Sequence, residues 1–347
     1  MNQENLNNSD ILKVVTDVIE SLDKDREREI ISRRFGINER KETLEQIGEI
    51  LGITRERVRQ LEKIIIIKLK DQASKKPSDT LIDFESKLSE IITKEHGIAR
   101  ILKIASIFSP KPTKIDQSRI MFLCQISSKF NFLPDDDNYY ASVVDQKYDV
   151  AKDIKPLIDS IVTYIQNSGK PLTIDQITSA KTISLDKKFV QSLTSSSKLI
   201  STLNGLWGLN KWPTVNPKNI RDKIYVTLKN NGKHMHFSEI AEQIRKSDFK
   251  RNNVTTQAIH NELIKDKRFI LIGRGIYALK EWGYSRGTVS DIITEILKEA
   301  NKPLHKDEIV KMVLKSRFVK ETTILLNLQG KSRFKRVAKA TYALVED

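Results

Sequence analysis

The chain is predicted to be mainly α-helical. An N-terminal helix-turn-helix domain is followed by tandem modules of three helices and a β-hairpin wing. Two observations predict this. A pair of threonine-capped helices separated by a glycine lies at residues 43–69, and a second sequence pattern returns three times after it, each copy ending in a short apolar strand pair.

The elements follow in order. Ile11, Val15, Val18, Ile19 and Leu22 sit at the spacing of one amphipathic helix. Thr43 with Gln46 three residues on is a capping box for the next helix but one, and Gly52 supplies the turn that ends it. Thr54 then caps a long helix whose first turn holds Arg55 and Glu56. At roughly 100° per residue, Arg55, Glu56, Arg59, Gln60 and Lys63 fall within about 140° of one another. Val58, Leu61, Ile65 and Leu69 fall opposite, as a stripe that packs on a domain. The run Ile64-Ile65-Ile66-Ile67 also suits a strand, but Lys68-Leu69 continue the stripe and favour a helix. Ile66 and Ile67 land on the arginine side, so either the helix has left any groove by then or they pack on a neighbouring domain or partner.

Arginine and glutamine on one face of a capped helix suit the edges of bases in the DNA major groove. Arg55, Glu56, Arg59 and Gln60 are the candidate base readers, Glu56 as an acceptor from cytosine N4. Thr43, Thr54, Arg57 and Lys63 are candidates for phosphate or a protein partner. The competing reading is a solvated charge run, but such faces mix lysine with glutamate, whereas this one sets two arginines, a lysine and a glutamine around one carboxylate.

These residues carry a resemblance. Arg26 to Ile37, Thr43 to Ile53 and the Thr54-Arg55-Glu56-Arg57-Val58-Arg59-Gln60 signature resemble region 4 of the sigma-70 family, over roughly residues 10–70. The resemblance implies binding of a −35 promoter element and of the β flap of RNA polymerase. Arg55, Glu56, Arg59 and Gln60 would then face bases, and Arg57 phosphate or the partner. The aromatic region with which that family melts DNA has no counterpart here, so this chain alone is not expected to open a promoter.

The repeated pattern runs Lys170 to Ile177, Lys233 to Ile240 and Lys302 to Ile309, at spacings of 63 to 70 residues. The copies end in Leu206–Leu209, Ile276–Leu279 and Thr341–Leu344, and Gly273-Arg274-Gly275 reads as a hairpin turn. Three helices and a hairpin make a winged helix. Residues 155–346 resemble HARE-HTH modules, the winged-helix family that includes the globular domain of the RNA polymerase delta subunit; delta's acidic tail has no equivalent. The expected domains are 1–75, 80–150 (helical, a degenerate copy of the same module), 153–213, 218–284 and 286–347. Lys75 to Asp79 and Trp212 to Pro217 read as linkers, and Trp212 and Trp282 as core or hinge aromatics.

Net charge is +15, unevenly spread. Residues 1–75 hold 15 basic and 15 acidic side chains, residues 76–213 hold 18 and 15, and residues 214–347 hold 27 and 15. The last third therefore attracts polyanions at long range, with a steep dependence on salt. Arg274, Lys331, Arg333, Lys335, Arg336 and Lys339 lie around its hairpins, where such residues reach phosphates or a narrow minor groove, or else dock a protein.

Catalysis is not expected. No Gly-rich phosphate loop or Gly-x-Ser-x-Gly turn occurs, and no cofactor is implied. The single cysteine, Cys124, excludes an internal disulfide and a cysteine-based zinc site. His234 and His236 have a ligand-like spacing, but the other copies place Pro and Thr or Pro and His there, at a helix entrance, so no metal is expected; Asp135 to Asp137 read as a solvated loop. With no apolar run near ~20 residues and no signal-peptide core, the expected location is cytoplasmic, at the nucleoid, away from membrane. The function expected is a sigma-like transcription factor on double-stranded DNA. The alternatives are an RNA polymerase-associated interaction protein, or a general DNA binder of a nucleoid or mobile element.

Overall fold

The computed structural model describes residues 8–180, 183, 185–284, 287–330 and 333–345; Lys331 lies outside them. The chain packs as two units, residues 1–211 and 212–347.

Unit 1 begins with α1 (Asn8–Glu20), α2 (Asp25–Phe35), α3 (Leu44–Leu51) and α4 (Arg55–Lys75). Each start and stop has a local cause. Thr43 accepts from the Gln46 amide (3.3 Å) while the Gln46 side chain accepts from the Thr43 amide (2.9 Å), completing the expected capping box. Thr54 accepts from the Arg57 amide at 3.2 Å, and Gly52 ends α3 with φ +64°. The isoleucine run is helical, as its continuing stripe predicts.

α5 (Asp79–Lys94) follows without a slack linker. Ser78 accepts from the Leu81 amide (3.3 Å), and the Thr80 hydroxyl donates to Asp17 of α1 at 2.7 Å. Lys76-Pro77 is thus a sharp joint between two long helices, where the sequence suggests a tether. β1 (Ile98–Arg100), α6 (Ile101–Phe108), α7 (Lys114–Ile126), β2 (Phe130–Leu133) and β3 (Ser142–Asp145) come next. A wide turn at Val150–Ile154 leads into α8 (Lys155–Ser168), β4 (Leu172–Thr173), α9 (Ile174–Thr178), α10 (Lys187–Ser196), β5 (Ile200–Leu203) and β6 (Leu206–Leu209).

Unit 2 holds α11 (Ile220–Asn231), β7 (Met235–His236), α12 (Phe237–Lys246), α13 (Thr256–Lys265), β8 (Phe269–Gly273) and β9 (Ile276–Leu279). α14 (Val289–Ala300), β10 (Leu304–His305), α15 (Lys306–Ser316), α16 (Glu321–Leu328), β11 (Phe334–Ala338) and β12 (Thr341–Leu344) complete it.

The order helix, strand, helix, helix, strand, strand therefore occurs four times, starting at α5, α8, α11 and α14. Each time the last strand sits between the other two in an antiparallel three-stranded sheet, which is the winged-helix arrangement. The short first strand is an element the sequence did not suggest. It leads directly into the second helix of every module, and in three of them Thr173, His236 and His305 accept from amides of the first turn. His236 is thereby a helix cap. In the first module Arg100 holds the corresponding place and makes no side-chain cap.

One apolar cluster runs through the helix-turn-helix and the first module. Ile11, Val15, Leu22, Ile30, Phe35, Ile47, Val58, Ile65 and Leu69 share it with Leu81, Phe84, Leu88, Ile120 and Phe122. The rings of Phe35 and Phe122 meet at 5.1 Å between centroids. Cys124 is buried there, and burial pushes its thiol up. No helix of the described residues is long and apolar enough to cross a membrane.

Candidate nucleic-acid interface

The stripe predicted for α4 does pack: Val58, Ile65 and Leu69 are buried and Leu61 is half-buried. Fixed from behind, the first turns present Arg55, Glu56, Arg57, Arg59, Gln60 and Lys63 to solvent, with Thr43 and Thr54 exposed at the two caps. Ion pairs hold the helix against its neighbours: Arg34 to Glu62 at 3.0 Å, and Lys68 to Asp23 at 2.9 Å and Glu27 at 3.4 Å. Arg33 bridges Glu29 (2.9 Å) and Glu42 (3.0 Å), and Arg28 donates to the Leu22 carbonyl at 2.7 Å. These arginines brace the scaffold.

The two following turns differ from the wheel. Ile66 turns into the cluster formed with α7, while Ile64 and Ile67 are exposed by 56% and 58%. The arginine-side face is therefore open over the first two to three turns of α4 and partly covered after that.

The polar face is pre-arranged. Arg59 donates two hydrogen bonds to Glu56 along one edge of its guanidinium, Nε to Oε2 at 2.9 Å and Nη2 to Oε1 at 2.7 Å. Arg55 pairs with Glu45 of α3 at 2.9 Å, and Arg57 donates to Gln60 at 3.2 Å. The Arg59 hydrogen bond holds the Glu56 carboxyl below its usual range, and Glu56 raises Arg59 in return. Sequence reading placed Arg55, Glu56, Arg59 and Gln60 on one face but missed Glu45, which the turn brings within reach from another helix.

The comparisons with known proteins fall on this region. Residues 19–71 match the family Sigma-70, region 4. This segment is a sigma-70 region 4 helix-turn-helix. A 61-residue stretch is also 41% identical to the RNA polymerase sigma factor SigA of Listeria monocytogenes serovar 1/2a, covering 17% of this chain and 16% of that protein. The chain thus spans about a sixth of that relative's length.

The hairpin residues divide by register. β8 and β11 pair with their partners identically, Phe269 opposite Leu279 and Phe334 opposite Leu344, with the same irregularity three residues on. Ile270, Leu271 and Ile272 therefore correspond to Lys335, Arg336 and Val337. In the third module the outer sheet face is apolar and covered: Ile270, Ile272 and Ala278 cluster with Trp282 and Tyr284. Trp282, expected as a core or hinge aromatic, is half-buried against this cluster. The edge is taken as well, because the Phe318 amide donates to the Ile272 carbonyl at 3.0 Å and Arg317 donates to the Leu271 carbonyl. This wing docks a protein segment, and of its predicted contacts Arg274 remains exposed at the tip. In the fourth module the same face carries Lys335, and Val337 is 47% exposed against 0% for Ile272. Lys335, Arg336 and Lys339 are all exposed; the Arg336 Nε donates to the Ala338 carbonyl at 3.2 Å.

Arg333 is engaged differently, with Asp291 of α14 at 2.7 Å. The Thr288 amide and hydroxyl, then Arg333, hold the Asp291 carboxyl at about 2 against an ordinary 3.8. A folded value below the unfolded one contributes stability above about pH 4 that is lost as pH falls toward 2. Asp291→Asn should therefore melt below the wild type near neutrality, and the two should converge as acid protonates the wild-type carboxyl. A melting difference that stays constant down to about pH 2 would refute this coupling.

Proposed function

We propose that this protein is a sequence-specific, double-stranded DNA-binding transcription factor of sigma-like type. It reads a promoter-type element through Arg55, Glu56, Arg59 and Gln60 in the major groove. The observation that carries the reading is the capped, back-packed α4 of a region 4 fold, with those four side chains exposed together. Arg57 and Lys63 contact phosphate or a partner, and Lys335, Arg336 and Lys339 of the fourth wing supply sequence-independent phosphate contacts. The module binds and performs no catalysis.

RNA polymerase is the protein partner we assign. Support comes from the relative, a sigma factor of RNA polymerase by name, and from Ile64 and Ile67, an exposed apolar pair beside the reading face. A duplex selection from a random pool tests the DNA assignment. Enrichment of a short motif is expected at moderate salt, and enrichment that follows only base composition would leave general DNA binding as the better account.

A further inference from the structure

Arg100 stands where the other modules have a helix-capping side chain, and its guanidinium lies 3.6 Å over the ring of Tyr140. Its Nε is buried with no hydrogen-bond partner among the described residues. The Tyr140 phenol and then the Asp135 carboxylate favour its charge, but that carboxylate is engaged by Lys198 at 2.8 Å. Burial accordingly pulls the Arg100 guanidinium below its usual range. A half-buried cation without a carboxylate of its own is costly unless an anion meets it.

The residue also separates two cavities. One, of about 770 Å³, is walled by Arg40 and Lys41 of the loop before α3 and by Lys114 at the start of α7. The other, of about 560 Å³, carries Lys94, Lys103 and Lys188. Arg100 and Leu102 line both, so the two are adjacent. Of the acids on their walls, Glu39 is exposed, Glu95 is paired with Lys103 and Asp135 with Lys198. Unit 1 as a whole has 33 basic and 30 acidic residues, so this concave strip concentrates positive charge on a nearly neutral body. Low-dielectric concave walls focus such a field. The strip starts beside the Thr43 cap, the end of the helix that crosses the DNA backbone in a helix-turn-helix complex.

We propose that Arg100 and its two flanking cavities form a track for the phosphate backbone of duplex DNA adjoining the element read by α4. This rests on the DNA-reading assignment above. The track extends the contact from the helix-turn-helix onto the first two winged helices and carries no base preference.

The test uses the full chain, a duplex holding the selected motif with long flanks, a scrambled duplex, and a duplex trimmed to the motif. Arg100→Gln should weaken the two long duplexes equally and make the slope of log affinity against log salt shallower by about one. Lys114→Gln with Lys188→Gln, both exposed, guards against misfolding of the first variant and should remove about two from the slope. Neither should alter binding to the trimmed duplex. Unchanged slopes with motif preference intact overturn the track and leave the α4 reading standing, whereas loss of any motif preference in the unmodified protein strikes the α4 reading itself. ATP titrated without DNA separates the two sources of phosphate. Arg100-dependent ATP binding together with an unchanged DNA slope overturns the backbone assignment in favour of a free phosphate ligand.

Discussion

Phe122→Ala should destabilise unit 1 by about 3–5 kcal/mol and loosen the helix-turn-helix together with the first winged helix. Phe122 is fully buried in α7, and its ring lies against Phe35 of α2. Removing it deletes apolar area and leaves a cavity at the seam between two sequence-defined domains, where neither side can collapse independently. Denaturant unfolding followed by hydrogen exchange checks this. Protection in α2, α4 and α7 should fall in parallel, because a shared cluster opens as one cooperative unit. Ile264→Ala, at an exposed position of α13, is the control and should change stability by less than about 0.5 kcal/mol. Loss of protection in α7 with α2 and α4 unaffected would mean that the cluster does not couple them.

That seam shows where sequence reasoning reaches its limit. The helix-turn-helix was legible because its signals are local: Thr43 and Gln46 are three residues apart, Thr54 caps its own helix, and Val58, Ile65 and Leu69 obey one period. The first winged helix gave only a faint trace. Its second helix lacks the capping Thr or His of the other copies, and residues 134–141 separate its wing strands, so no tight hairpin turn marks them. Nor does periodicity assign an apolar stripe to a partner. Ile66 and Ile67 share the arginine side of the wheel, yet the first packs against the shared cluster and the second stays in solvent.

The wings make the same point about function. Basic residues near two hairpins suggested similar roles, and only the register shows that Ile270 and Ile272 occupy the positions of Lys335 and Val337. One outer face is apolar and closed over by the following chain; the other is basic and open. The distinction lies in hydrogen bonds to the carbonyls of strand β8 from the Arg317 guanidinium and the Phe318 amide, contacts between residues 46 positions apart that no local pattern encodes.

Arg59→Ala should lower affinity for the selected duplex by about five- to hundredfold and blur base choice at one position, with a much smaller effect on scrambled DNA. In the free protein the Arg59 fork is spent on Glu56, an exposed pair of the kind that contributes little in water. Exchanging that carboxylate for the O6 and N7 acceptors of a guanine therefore costs little, and the pairing limits the rotamers of the planar fork until DNA arrives. Arg59→Lys separates charge from geometry. A lysine keeps the attraction to the polyanion, so the salt slope should hold, but it lacks the bidentate fork, so preference for the motif should fall nearly as far as with alanine. Fluorescence anisotropy on selected and scrambled duplexes at two salt concentrations measures both quantities. Equal losses on the two duplexes for Arg59→Ala would assign the side chain to phosphate and move base reading off this face of α4.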